Sequence, residues 1–165
     1  MRIIQRKTEY PDLDRHDHAI LDVLQVDGRI SATALAERVG LSKSPVQARL
    51  RRLEALGVIA GYRALIDPLR TGRAHVAFVA VRLSDTREMA LRAFNAAVVK
   101  VVEVEQCHML AADFDYLLKV RCHDMHDFRR VLAESISNLP HLAHTSTWMA
   151  MQAVKDEVTG GATKA

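Results

Sequence analysis

The sequence predicts an α+β chain: an N-terminal winged helix-turn-helix followed by a ferredoxin-like βαββαβ domain. Three observations predict it. Helix-period apolar spacing, opened by capping residues and closed by glycine, recurs three times between Asp14 and Gly57. After Pro68 and Gly72 the pattern changes to strand, helix, strand, strand, helix, strand. Charge is uneven as well: residues 1–72 carry 12 Lys and Arg against 9 Asp and Glu, whereas residues 73–165 carry 11 against 11. The expected divisions are an arm over 1–11, the winged helix-turn-helix over 12–66, a linker over 67–74, the second domain over 75–154 and a tail over 155–165.

The first helix begins at Asp14, with Asp17 three residues on as a capping-box pair near the positive end of the helix dipole. Ile20, Leu21 and Leu24 form its apolar stripe, and Gly28 ends it. Ser31 caps a short second helix, with Leu35 and Val39 inward and Gly40 at its stop. Ser42 caps a third, and Pro45 falls in its first turn, where no intrahelical N–H is missed. Val46, Leu50 and Leu53 follow at i, i+4 and i+7, and Gly57 closes the run. VIAGYRALI (58–66) is β-rich, as a short wing strand is.

In the second domain HVAFVAVRL (75–83) reads as a strand apolar on both faces. TREMALRAFNAAVV (86–99) reads as a helix with Met89, Ala93, Phe94 and Ala97 on one side. Two strands follow in VVEVEQCHMLA (101–111) and DYLLKVRC (115–122), joined through Ala112-Asp113. DMHDFRRVLAESISNLP (124–140) is a helix ended by Pro140, and HTSTWMAMQAV (144–154) is the last strand. Both helices fall on one side of such a sheet. Its other face therefore needs a cover, most simply a second copy of the chain, which makes a homodimer the expectation.

Composition narrows the function classes. Apolar residues make up 49%, enough for a core, but only 5% are aromatic, so aliphatic side chains and alanine must fill it. No run approaches the ~20 apolar residues of a membrane span. No apolar stretch follows the basic residues at the start, so no signal peptide is expected and the cytoplasm is the default. Cys107 and Cys122 make no disulfide framework and read as core thiols. His123 with His126 and His141 with His144 lack the Cys or carboxylate partners of structural zinc, so no metal and no cofactor are expected. No nucleophile–base pair, phosphate loop or catalytic motif is present, which argues against an enzyme.

The third helix carries the sharpest signal. From Lys43 to Arg52 there are four cations and no acid. At 100° per residue Val46, Leu50 and Leu53 centre a buried face, with Ser44, Ala48 and Arg51 opposite and Gln47 and Arg52 on the flanks. Small residues at 44 and 48 let such a helix sit deep in a major groove. Arg51 and Gln47 can reach base edges, Arg favouring guanine and Gln adenine. Ser42, Lys43, Arg49 and Arg52 suit phosphates, where charge matters more than direction. The competing reading is a solvated face on an amphipathic helix. The turn Ala36-x3-Gly40-Leu41-Ser42, with a small residue for close helix approach and a glycine for the turn, favours double-stranded DNA.

LDRHDHAILDVLQVDGRISATALAERVGLSKSPVQARLRRLEALGVIAGYRALIDP closely resembles the N-terminal half of the Lrp/AsnC (feast/famine) regulators. CHMLAADFDYLLKVRCHDMHDFRRVLAESISNLPHLAHTSTWMAMQAVK resembles their effector and assembly domain, so the resemblance covers residues 12 to 155. It implies a winged helix-turn-helix, dimers built through the sheets, and assembly to tetramers, octamers or larger discs. It also implies an amino-acid effector bound between dimers. CHMLAADFDYLLKVR and TSTWMAMQAVKD look most like the branch that activates proline-catabolism genes, with leucine-responsive members close behind.

The resemblance places the effector near the loop between the second and third strands, Ala111, Ala112, Asp113, Phe114 and Asp115, and near Thr145, Ser146 and Thr147. A zwitterion needs donors for its carboxylate and acceptors for its ammonium, and backbone N–H groups, the hydroxyls and the two aspartates supply them. The alternative is an ordinary turn whose aspartates bond their own backbone. Many relatives have glycine where this chain has Ala112, and alanine tolerates positive φ poorly, so loop shape and ligand identity are open. The function expected is sequence-specific regulation of amino-acid metabolism tuned by an amino acid, proline or leucine. An effector-independent DNA-architectural protein and a sirohaem-decarboxylase-like enzyme are the alternatives.

Overall fold

The computed structural model describes residues 10–155, which form two compact units divided between Ala64 and Leu65. Most of the expected arm and tail lies outside the described residues. The first unit holds α1 (Arg15–Val26), α2 (Ala32–Val39) and α3 (Lys43–Ala55). Asp14 caps α1 by accepting from the backbone N–H groups of His16 and Asp17, and the Asp17 carboxylate accepts from the Asp14 N–H, so the capping box forms in full. Ser31 caps α2 through the Ala34 N–H. Ser42 occupies the capping position of α3, but its hydroxyl makes no cap hydrogen bond. The three helices close on Ile20, Leu35, Ala36, Val46 and Leu53, with Leu21, Leu24, Val39 and Leu50 packed against them.

The expected wing strand does not form. Residues 58–66 carry no strand, because no second strand of this unit lies alongside to complete a ladder among the described residues. The segment is held instead at its start and middle. The Val58 and Ile59 N–H groups donate to the Leu53 carbonyl, and the Tyr62 hydroxyl donates to Glu54 at 3.0 Å.

The second unit begins with a turn over 68–72, where a linker was expected. It is fastened to the sheet: the His123 ring lies 2.9 Å from the Gly72 carbonyl, and Arg73 donates to the Arg121 carbonyl. The unit then runs β1 (His75–Leu83), α4 (Glu88–Val98), β2 (Val104–Met109), β3 (Tyr116–Cys122), α5 (Met125–Val131), a π-helical turn (Leu132–Ile136) and β4 (Leu142–Met149). The sheet is antiparallel in the order β2-β3-β1-β4, the ferredoxin-like arrangement.

Alternation sends Ala77, Val79, Val81 and Leu83 of β1 and Tyr116, Leu118, Val120 and Cys122 of β3 into one core with Phe94, Val98, Phe128, Val131 and Ile136 of the helices. The buried stripe of α4 is Ala90, Phe94 and Val98, and Met89 is 85% exposed, contrary to the side expected for it. The phase is off by one residue, since an alanine-rich helix offers several stripes of similar apolarity. The opposite sheet face is not uniformly apolar as expected. The registers put Phe78, Ala80, Leu117 and Trp148 at its middle, with Lys119, Arg82, His144 and Ser146 around them. Phe78 and Trp148, 37% and 53% exposed, are its large uncovered side chains.

Candidate nucleic-acid interface and ligand loop

α3 is anchored by Val46 and Leu53, both fully buried, seven residues and therefore two turns apart. That places Ser44, Gln47, Ala48 and Arg51 away from the core, and all four are exposed, as are Ser42 and Lys43 at the helix start. The turn before α3 is set by Gly40, whose φ of 68° is the left-handed conformation that glycine adopts at least cost. The Leu41 N–H closes it on the Ala36 carbonyl at 3.0 Å, and Ala36 is itself buried between the helices. A convex, small-centred and cationic helix face results, with Lys43 and Arg51 making no ion pair among the described residues.

Arg49 and Arg52, expected on phosphates, are engaged with α1 and the residues before it. One Arg49 nitrogen donates to Asp17 Oδ1 at 2.7 Å and the other meets Asp14 Oδ2 at 2.7 Å. Arg52 donates to Asp17 Oδ2 at 2.9 Å and to the Asp12 carbonyl at 2.8 Å. Asp17 is 1% exposed, so two cations of α3 converge on a buried carboxylate of α1. Burial alone raises the Asp17 pKa, but hydrogen bonds from Arg49 and the Asp14 N–H outweigh it and hold the group below its ordinary 3.8. Asp14 is lowered to about 2, first by the Asp17 N–H and then by Arg49. Beside the network a cleft of about 500 Å³ opens between the start of α1 and Pro45 and Ala48 of α3.

The loop between β2 and β3 is fastened at three points. The Leu83 N–H donates to Asp115 Oδ2 at 2.7 Å, the Asp115 N–H donates to the Val81 carbonyl at 2.9 Å, and the Arg82 guanidinium donates to the Asp113 carbonyl. Ala111, Ala112 and Asp113 are exposed and Phe114 is half-buried. Ala112 does not have positive φ, so the missing glycine brings no backbone strain. Thr145 pairs with Val81, which pairs on its other side with Tyr116, so the loop and Thr145 flank the end of β1 about 10 Å apart. Alternation separates the rest: Thr145 and Thr147 share the helix-covered side, whereas Ser146 is on the open face, its hydroxyl 3.4 Å from His144 Nε2. Arg82 escaped the sequence reading. It stands on the open face opposite His144, and its only signal was a lone cation near the end of an apolar strand.

Residues 76–159 match the model of the Lrp/AsnC ligand binding domain, and residues 13–60 match that of a winged helix-turn-helix DNA-binding domain. The chain belongs to the Lrp/AsnC family. It is 55% identical over 145 residues to the proline dehydrogenase transcriptional activator of Rhizobium radiobacter, covering 88% of this chain and 93% of that one. It is 44% identical over 150 residues to the leucine-responsive regulatory protein of Salmonella typhimurium, covering 91% and 92%. Among solved structures it is similar to a transcriptional regulator of Neisseria meningitidis in complex with L-methionine, with a TM-score of 0.83, 32% identity and coverage of 88% and 94%. This Lrp/AsnC protein is a transcriptional regulator with a DNA-binding unit and a ligand-binding domain, and not an enzyme.

Among the described residues no group of three His, Cys, Asp or Glu side chains is placed to hold a metal ion. No helix of the described residues is long and apolar enough to cross a membrane. Cys122 is buried and Cys107 partly so, and burial pushes both thiols above their ordinary pKa.

Proposed function

We propose that this protein activates a proline-catabolism gene by reading duplex DNA with the outer face of α3, and that an amino acid bound at the 111–115 loop tunes it. The observation that carries the DNA half is the bare face Ser44, Gln47, Ala48 and Arg51, with Ser42 and Lys43 at its entrance. Arg51 and Gln47 read base edges and Lys43 meets phosphate. The proline assignment is supported by the higher identity to a proline dehydrogenase activator than to a leucine-responsive regulator. Proline comes first as effector and leucine second. A bound amino acid is supported by the methionine complex of the Neisseria relative. Its ammonium meets Asp113 and Asp115, and its carboxylate meets backbone N–H groups of Ala111, Ala112 and Phe114 with the hydroxyls of Thr145, Ser146 or Thr147. The partly apolar open face, with Phe78 and Trp148 uncovered, supports a homodimer joined sheet to sheet, which then builds tetramers or octamers.

The test is binding to the duplex upstream of the proline dehydrogenase gene of the same genome, and to random duplex, with proline, leucine or neither. Affinity for the first is expected to exceed that for the second by about 10³-fold or more. Arg51→Ala should cost about 1–3 kcal/mol on the promoter and blur one base preference, while Lys43→Ala should weaken all DNA alike and lower the salt slope by about 1. Proline should change promoter affinity or assembly state, because only a ligand with differential affinity for two states shifts them. Indifference to every amino acid would favour an architectural role, and equal binding to both duplexes would remove the regulatory reading of α3.

A further inference from the structure

We infer that Arg49 and Arg52 are positioning residues: with Asp17, Asp14 and the Asp12 carbonyl they clamp the rotation of α3, and base selectivity depends on that clamp. The inference rests on α3 being the reading helix. Val46, Leu50 and Leu53 attach α3 along one narrow apolar stripe about 60° wide, a near-linear attachment, with Val46 and Leu53 at its buried centre. Attachment along one line resists lifting but leaves the helix free to roll about it. Arg49 and Arg52 leave the helix on the flank between that line and the reading face, and their four bonds of 2.7–2.9 Å to α1 and its lead-in are the second line of attachment. A side-chain tip about 6 Å from the axis moves about 2 Å for a roll of about 20°, enough to break a base contact. The rigid guanidinium fork suits this task, because Arg49 bridges two carboxylates and Arg52 bridges a carboxylate and a carbonyl.

Charge supports the same assignment. Asp14 and Asp17 against Arg49 and Arg52 make a neutral quartet, and a neutral group releases no counterions when DNA arrives. A phosphate meeting Arg49 would have to compete with Asp17, whose two oxygens are already aligned with both guanidiniums. The long-range electrostatic pull of α3 then comes from Lys43 and Arg51.

The experiment uses the full chain, random duplex, and a duplex that the wild-type protein recovers from a random-sequence pool. The charge-balanced variant Asp14→Asn/Asp17→Asn/Arg49→Gln/Arg52→Gln, which removes the neutral quartet without changing net charge, should lose about 10-fold or more on the recovered site and keep the wild-type salt slope on random DNA. Asp17→Asn should cut the ratio of specific to random affinity, while random binding holds or tightens as the arginines are released. Arg49→Lys, which keeps the charge without the fork and is the mildest change to folding, should not restore selectivity. A slope lowered by about 2 in the charge-balanced variant, or full selectivity in Arg49→Lys, overturns the clamp and makes these residues phosphate ligands. Wild-type protein without salt-sensitive affinity for either duplex would instead bring down the underlying reading of α3, which Lys43→Ala with its expected slope loss of about 1 tests separately.

Discussion

Asp17 in α1 and Asp115 ahead of β3 are both aspartates whose carboxylates are taken up by donors of the protein, but the donors differ in kind. Asp17 receives two guanidiniums from α3, a helix whose interior backbone groups pair within the helix itself. Asp115 receives the N–H of Leu83, at the point where the β1–β4 register shifts between Arg82 and Leu83 and the ladder is irregular. Side-chain pairs therefore fix the attitude of an element that is locally complete, whereas a side chain standing in for a strand repairs one that is not. In each place the polar groups that hold the structure are separate from those left bare: Arg51 and Gln47 in one, Asp113 in the other.

The largest test of that contrast removes the buried carboxylate. Asp17→Ala should cost about 3 kcal/mol in denaturant unfolding followed by helical circular dichroism, because it strands two aligned arginines, though both are partly exposed and partly rehydrated. The sign with pH follows from the depressed pKa values. Asp14, at about 2 against an ordinary 3.8, contributes its stabilisation in full above about pH 4 and loses it as pH falls towards 2. Asp17 is lowered as well, so the gap between wild type and Asp17→Ala should be widest above about pH 4 and close in acid. A gap constant down to pH 2 would mean that the pairs do not stabilise the unit.

Asp115→Ala comes next, at about 1–2 kcal/mol, the usual consequence of leaving a part-buried donor without its acceptor. Trp148, the single tryptophan, lies in β4 two strands from the loop and reports this unfolding by its fluorescence. Asp113→Ala, whose exposed carboxylate holds nothing among the described residues, should stay within about 0.5 kcal/mol. Equal losses in the two variants would erase the distinction between the holding aspartate and the bare one.

The antiparallel sheet and its order were legible because the succession strand, helix, strand, strand, helix, strand points to the ferredoxin-like arrangement even where β1 is apolar on both faces. The capping box at Asp14 and Asp17 was legible because it spans three residues. The second role of Asp17 was not: its partners lie 32 and 35 residues away, and helix periodicity treats each helix alone. For the same reason the pairing of Arg49 and Arg52 with aspartates of α1 was not legible, since a run of cations on one helix gives no sign of which are engaged elsewhere. Met89 was misplaced because Ala90, Ala93, Ala96 and Ala97 make every face of α4 acceptable to a core. The strand expected within the wing failed for the opposite reason: the composition of residues 58–66 suits a strand, but a strand exists only where another lies beside it.

The smallest effect separates two serines that look alike in sequence. Ser31 and Ser42 each precede a helix, but only Ser31 accepts a backbone hydrogen bond, from Ala34 at 3.2 Å. Ser31→Ala should therefore cost about 1 kcal/mol, within the usual range for losing an N-cap. Ser42→Ala should cost only a few tenths, because its exposed hydroxyl leaves no donor orphaned that was previously paired. Thermal unfolding of the two variants side by side reads the difference. If Ser42→Ala hardly alters the melting temperature yet weakens duplex binding, its hydroxyl is kept for phosphate and not for the helix. Matched stability losses would show that Ser42 does cap α3 in solution, and would take it off the list of groups free to meet DNA.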